Sequence, residues 1–201
     1  MGVCINNRLG QRKVFVKAML DNAQEIAQLI KKEQAEKIGV SFEIRRLSDF
    51  DLLIDIGNCE TLSFKFKSVK AIKEEKEKGW SYEWAVLTDD GKRPLNEGYA
   101  ISDFPQNEIY YSASFCKTQF SKILVEHKWV ADIIKVVASR CVFAEVNDEG
   151  DYYHSGVLAD AQEAIAENGA LIDSLTGKLA GNGFEVLKGG STNIKSKKKY
   201  K

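Results

Sequence analysis

Cys116 is the residue of this chain best suited by its position to act as a nucleophile. It lies in the run FCKTQ, residues 115–119, where a predicted strand gives way to a predicted helix. A helix N-terminus and an adjacent lysine both favour the thiolate. His127, in the following helix, and His154, after a later strand, could each serve as the base. These residues predict a small enzyme centred on Cys116. The alternative is a buried, unreactive thiol beside a packed core histidine.

The same junction of strand and helix has a second interpretation as an anion site. The ammonium group of Lys117, the hydroxyl of Thr118 and the free amides of the first helical turn could together hold a phosphate or a carboxylate. The chain has no glycine-rich loop and no Gly-Lys-Thr, so a P-loop is excluded by motif. In the simpler alternative, Thr118 only caps the helix.

The densest polar cluster is NDEGDYYH, residues 147–154. Its oxygen atoms could hold a divalent cation, but it lacks the alternating acids and the closing glutamate of an EF-hand. A solvated hairpin turn is therefore favoured, and the enzyme hypothesis places Cys116 near this turn. The four cysteines include no Cys-x-x-Cys pair. We expect no metal site, and the sequence identifies no cofactor.

An aromatic stripe, Trp80, Tyr82 and Trp84, gives a third candidate site. On an exposed sheet such rings stack on single-stranded bases, with Lys65 nearby for phosphates, whereas within a core they only pack. The chain has 29 basic and 29 acidic residues, but the last seven residues hold five of the lysines. The rest of the chain therefore has 24 basic against 29 acidic residues. This acidic body disfavours nucleic acid as a partner.

Hydrophobic periodicity predicts the elements that must position these residues. Their order is βαβββαββαβα, without the steady alternation of strand and helix that parallel doubly wound folds show. The prediction is an α+β fold with a mixed or largely antiparallel sheet of about seven strands and helices packed mainly on one face. Strands are predicted at 13–19, 40–47, 52–56, 62–67, 80–87, 108–116 and 141–147, and helices at 21–38, 69–78, 119–139 and 158–180.

Length and composition indicate one globular domain, since the 201 residues are 44% hydrophobic and 29% charged. We predict an N-terminal arm at 1–12, a single α+β domain at 13–187 and a disordered lysine-rich tail at 188–201. No apolar run approaches the roughly 20 residues of a membrane helix, and no signal-peptide core is present. The expectation is a cytoplasmic protein with no membrane partner.

Clean alternation in the predicted strands indicates a sheet with one open face. Tyr110, Ser112 and Ser114 alternate with apolar residues, and Lys65 does so on another strand. A sheet buried on both faces would show continuous apolar runs, so these four side chains are expected to face solvent. They suit a polar small ligand, a protein partner, or a homodimer formed through the open sheet. The leading hypothesis is a non-enzymatic binding or accessory protein; the alternative is a plain solvated face.

Overall fold

The computed structural model describes residues 3–77, 108–118, 124–181, 184–187 and 193–196, and every structural statement below concerns these residues. The predicted strand at 80–87 lies outside them, together with the aromatic stripe of Trp80, Tyr82 and Trp84.

The chain begins with strand β1, Cys4–Arg12, which leads directly into helix α1, Lys13–Ile30. A π-helical turn and a 3-10 turn extend α1 to Gly39, which has φ 69° and ends the helical segment in the left-handed conformation that glycine favours. The later elements are β2 (Phe42–Ser48), β3 (Asp51–Ile56), β4 (Leu62–Lys65), β5 (Lys67–Ser68), α2 (Val69–Glu77), β6 (Ile109–Lys117), α3 (Val125–Ala138), β7 (Phe143–Asp148), α4 (Tyr152–Ser155), α5 (Leu158–Gly181), β8 (Phe184–Leu187) and β9 (Asn193–Ser196).

Two predictions for the N-terminus are wrong. Residues 1–12 are not an arm, because β1 is an interior strand of a sheet, and residues 13–19 belong to α1 rather than to a strand. The buried positions of β1 include the polar side chains of Asn7 and Gln11, which concealed its alternation. The β-branched residues at 13–19 suggested a strand, but the buried residues of α1 recur three and four apart, and this tertiary packing overrides local preference.

Seven strands form two antiparallel sheets, one ordered β5-β6-β1-β7 and the other β2-β3-β4. The sheets adjoin where β4 runs beside β6. There the backbone N–H of Lys65 donates to Ser112 Oγ over 3.0 Å, and the N–H of Glu60 donates to the carbonyl of Lys117 over 2.9 Å. The predicted α+β class is confirmed.

Helices α1 and α3 pack against each other and against one side of the sheets, which we call the inner face. The core there contains Ile5 and Leu9 of β1, the buried residues of β3 and β4, and Trp129 of α3. The Trp129 indole N–H donates to Gln34 Oε1 over 2.8 Å, which ties α3 to the end of α1. The inner face therefore holds the main core.

The opposite side of the four-stranded sheet is the outer face, and the described residues cover it at one end only. There Ile72 of α2 packs with Ile109, Tyr111 and Phe143 in a second, smaller core. Gly10 lies beneath these rings, and a Cβ at this position would come within 3.2 Å of the Tyr111 ring. The rest of the outer face lies outside this second core.

At the C-terminal end, α5 spans nearly the residues predicted for the last helix. Strands β8 and β9 pair antiparallel, with Val186 opposite Ile194. Strand β9 lies within 188–201, the segment predicted to be disordered. The sequence did not predict this strand because a short polar strand carries no hydrophobic signal and is held by backbone pairing. No helix in the described ranges is long and apolar enough to cross a membrane.

Candidate functional site

The predicted open polar face is the wrong face of the sheet. Ser112 and Ser114 are only 1% and 6% exposed, and they point to the inner face with Cys116. The apolar residues that alternate with them, including Ala113 and Phe115, lie on the outer face. Small hydroxyl side chains can be buried when they find hydrogen-bond partners, and both serines find one.

The buried hydroxyls serve as joints between strands. Ser112 Oγ accepts a hydrogen bond from the backbone N–H of Lys65, so a side chain and not a backbone carbonyl joins β6 to β4 at this N–H. Ser114 Oγ accepts a hydrogen bond from Asn7 Nδ2 over 2.9 Å, which links β6 to β1 across the inner face. Asn7 Oδ1 is buried and has no hydrogen-bond partner among the described residues. These polar groups therefore hold strands together instead of binding a ligand.

Tyr110 lies on the inner face with the two serines, whereas Lys65 does not. The half-buried Tyr110 ring packs on Phe50, with centroids 5.1 Å apart, and Lys13 Nζ lies 5.7 Å from its centroid. The Lys65 side chain alternates with buried Phe64 and so points away from the inner face. The four residues predicted as one binding surface are thus divided between two faces.

Cys116 is fully buried, and its thiol donates to the carbonyl of Glu60 over 2.9 Å. Burial raises the pKa of this thiol well above its ordinary value, and the neighbouring groups of Cys59 and Glu60 raise the pKa further. A neutral thiol inside the core is a poor nucleophile. Cys116 therefore acts as a packed core residue that also joins β6 to the segment before β4.

His127 is bonded at both ring nitrogens, and neither partner is Cys116. Its Nδ1 lies 2.7 Å from Thr118 Oγ1, and its Nε2 lies 3.3 Å from Asp148 Oδ2. A carboxylate only accepts, so in the neutral ring Nε2 donates to Asp148 and Nδ1 accepts the Thr118 hydroxyl. Hydroxyl, imidazole and carboxylate follow the order of a hydrolase triad. All three side chains are nevertheless buried.

Asp148 organises the turn that follows β7. Its two carboxylate oxygens accept the backbone N–H groups of Gly150 and Tyr153, each over 2.8 Å. Burial alone raises the pKa of Asp148, but the hydrogen bond and electrostatic attraction of His127 and the two backbone donors outweigh it, so the pKa lies below its ordinary value. Gly150 is required at this site because a Cβ there would lie 2.8 Å from the His127 ring.

The two side chains of the predicted anion site, Lys117 and Thr118, both bond to other groups, and residues 119–123, which were to supply its backbone amides, lie outside the described residues. Thr118 is buried: its hydroxyl donates to His127 Nδ1 and its backbone N–H donates to the carbonyl of Val3 over 3.0 Å, so the hydroxyl is not free to cap a helix or hold an anion. Helix α3 begins at Val125, seven residues beyond Thr118 in the numbering. Lys117 Nζ lies 3.4 Å from Glu60 Oε1, so its charge is already paired.

The residues of the turn at 147–154 have structural roles that the sequence did not show. Asp151 adopts a left-handed conformation with φ 58°, and His154 is exposed and donates through Nε2 to the carbonyl of Val146 over 3.1 Å. His154 therefore covers part of the β7 edge and does not approach Cys116 as a base. No group of three or more His, Cys, Asp or Glu suited to a metal ion occurs in the part of the chain that the structure describes.

A cleft of about 300 Å³ lies on the outer face, which we call the outer-face cleft. Arg8 and Glu145 form an ion pair of 3.2 Å across its strands, and both side chains are about half exposed. Asn6 faces both Phe115 and Asn147 in the strand register, so these side chains project from the same side of the sheet. The lining residues are Asn6, Asn7, Arg8, Ala113, Ser114, Phe115, Glu145 and Asn147.

Sequence reasoning missed these outer residues for one reason. Asn6 and Arg8 belong to residues 1–12, which were predicted as an arm and so were never assigned to a face. Polar Asn7 and Gln11 at inward positions of β1 left no clear apolar alternation as a signal. Once β1 pairs with β6 and β7, the outer positions of three strands combine into the cleft.

Comparison with protein-family models, with curated proteins and with solved structures finds no match to this chain. The candidate site is therefore interpreted from its own geometry.

Proposed function

We propose that this chain is a non-enzymatic binding protein that recognises a polar segment of a partner protein in the outer-face cleft. The observation that carries the proposal is the set of side chains that project into the cleft. Asn6 and Asn147 offer carboxamides, and Arg8 and Glu145 offer a paired cation and anion. Carboxamides both donate and accept hydrogen bonds, which matches peptide groups and polar side chains.

A protein segment suits the cleft better than an isolated small molecule. Sites for small ligands bury most of the ligand and are lined mainly by apolar and aromatic side chains. Of the described residues that line the outer-face cleft, only Phe115 is aromatic. The side chains that project into the cleft are half-buried or exposed, as in the polar and hydrated parts of protein interfaces.

The burial and bonding of the two strongest catalytic candidates support the non-enzymatic part of the proposal. The Cys116 thiol is buried, with a raised pKa, and His127 is bonded to Thr118 and Asp148 instead of to a nucleophile near a cleft. A small enzyme centred on Cys116 is therefore the less favoured alternative. The nucleic-acid alternative depends on Trp80 and its neighbours outside the described residues and gains no support here.

The test is a selection of peptides from a displayed random library on the immobilised full chain, followed by affinity measurements on the selected peptides. Arg8→Ala and Asn147→Ala should each weaken binding about tenfold or more, the size expected for a central polar contact. Stability should change by less than about 1 kcal/mol, because the Arg8–Glu145 pair is half exposed.

Lys37→Ala provides the matched control, since Lys37 also forms an exposed ion pair, with Glu33, far from the cleft residues in the chain. It should leave peptide affinity unchanged. Selected peptides that bind the two cleft variants as tightly as the wild type, or a selection that enriches nothing, would contradict the proposal.

A further inference from the structure

Strand β2 forms one edge of the three-stranded sheet, and its far side pairs with no strand in the described part of the chain. An unpaired edge presents a row of backbone N–H and C=O groups that can accept another strand. This edge belongs to β2, whereas the outer-face cleft belongs to β1, β6 and β7. The edge of β2 and the outer-face cleft are therefore separate surfaces, and a role of one does not depend on a role of the other.

The backbone groups that point away from β3 can be identified. The N–H of Gly57 donates to the carbonyl of Ser41 over 2.8 Å, so Ser41 directs its carbonyl toward the β3 side. Successive residues of a strand alternate in this direction, so Glu43 and Arg45 also face β3. Phe42, Ile44 and Arg46 consequently direct their N–H and C=O groups outward, to the unpaired side.

The charges of β2 are complementary to those of the same strand in reverse. If two copies pair antiparallel about Ile44, Glu43 of one copy lies opposite Arg45 of the second, and the reciprocal pair also forms. Both side chains are exposed and project on the side away from the core. Opposite charges in directly facing positions stabilise a strand pair, whereas like charges destabilise it.

The neighbouring registers do not share this property. Pairing about Arg45 sets Arg45 against Arg45, and pairing about Glu43 sets Glu43 against Glu43. The Ile44 register also places the outward groups of Phe42, Ile44 and Arg46 opposite one another, so that each of these N–H and C=O groups gains a partner. Pairing about Glu43 or Arg45 would also set outward backbone groups opposite outward backbone groups, so side-chain charge is what selects the Ile44 register.

We infer that β2 pairs antiparallel with β2 of a second copy of this chain, centred on Ile44, to form a two-fold symmetric dimer with one continuous sheet. The interface is isologous, with the same strand on both sides. Arg45 would lie between Asp55 of its own chain, which it already contacts at 2.6 Å, and Glu43 of the second copy. On the helix side, half-buried Ile44 would contact its counterpart.

Charge reversal tests the register by sedimentation equilibrium of the full chain. Glu43→Arg and Arg45→Glu should each raise the dimer dissociation constant at least about tenfold, since each sets like charges opposite one another. The double variant restores opposite charges and should return the constant to within about threefold of the wild type. Lys65→Glu, a reversal two strands away on the same side, should have no effect.

A second variant removes a backbone donor. Ile44→Pro deletes an outward N–H, which an edge strand tolerates in the monomer but a strand pair does not. The variant should remain folded by circular dichroism and become monomeric. A wild type that stays monomeric at roughly millimolar concentration, or a dimer unaffected by Ile44→Pro and by both single charge reversals, would overturn the inference.

Discussion

The two faces of the four-stranded sheet use polar side chains in opposite ways. On the inner face, the polar side chains form hydrogen bonds with other parts of the protein: Asn7, Ser112, Ser114, Thr118, His127 and Asp148. On the outer face, Asn6, Arg8, Glu145 and Asn147 reach solvent around the cleft. Residue type does not separate the two sets. What separates them is burial: the inner set is shut off from water and must bond within the protein, whereas the outer set also has access to solvent.

This difference has an energetic consequence. A buried polar group without a partner costs about 1–3 kcal/mol, and a buried unpaired charge costs more. The inner face should therefore be sensitive to the loss of single groups. The outer face should tolerate substitution with little change in stability, because water replaces whatever is removed.

The largest expected effect is at Asp148. Asp148→Ala removes the acceptor for two backbone N–H groups and for His127, all at a buried site. We expect a loss of about 3–5 kcal/mol of unfolding free energy, as for other broken buried pairs. The measurement is urea denaturation, with Glu145→Ala on the outer face as the matched control. A loss below about 1 kcal/mol for Asp148→Ala would show that the inner network is not structural.

A smaller effect separates two serines on neighbouring strands. Ser112→Ala leaves the Lys65 N–H without its acceptor and should cost about 1–3 kcal/mol. Ser63→Ala, at a half-buried position that points away from the core, should stay within about 0.5 kcal/mol. Thermal unfolding of both variants measures the difference. Equal melting temperatures for the two variants would contradict the assignment of Ser112 as a joint between β4 and β6.

The smallest effect expected is a change in how stability depends on pH. The pKa of Asp148 is lower in the folded protein than its ordinary value of 3.8, so the unfolded chain takes up the proton first as pH falls. Its contribution is fully present above about pH 4 and is lost as pH falls from there through the folded pKa. Asp148→Asn should flatten the curve of unfolding free energy against pH in that acidic range. An unchanged slope in Asp148→Asn would contradict this role of Asp148.

Several elements were predictable because their own residues carry the signal. The charged helix at 69–78 and the long helix at 158–180 appear as α2 and α5, and the apolar run at 52–56 appears as β3. In each case the apolar spacing follows the period of the element. The α+β class followed from the order of such elements.

Strand β1 was not predictable in this way, and because it was not predicted, the candidate site was not recognised from the sequence. Its inward positions alternate between apolar Ile5 and Leu9 and polar Asn7 and Gln11, so no hydrophobic period is visible. Asn7 is tolerated inside because Ser114, more than one hundred residues away, accepts its hydrogen bond. A partner so distant in the chain cannot be read from local pattern.

The sequence by itself determined the class of the fold, the helices and strands with strong periodicity, and the left-handed stop at Gly39, because each depends on neighbouring residues. Only the tertiary structure decided which face of β6 is buried, where His127 finds its partners, and which side chains surround the outer-face cleft. These outcomes depend on pairing between β1, β6 and β7, strands that are distant in the chain. A polar side chain can be buried without a large free-energy cost only where a hydrogen bond across those strands satisfies it, and no local pattern encodes such bonds.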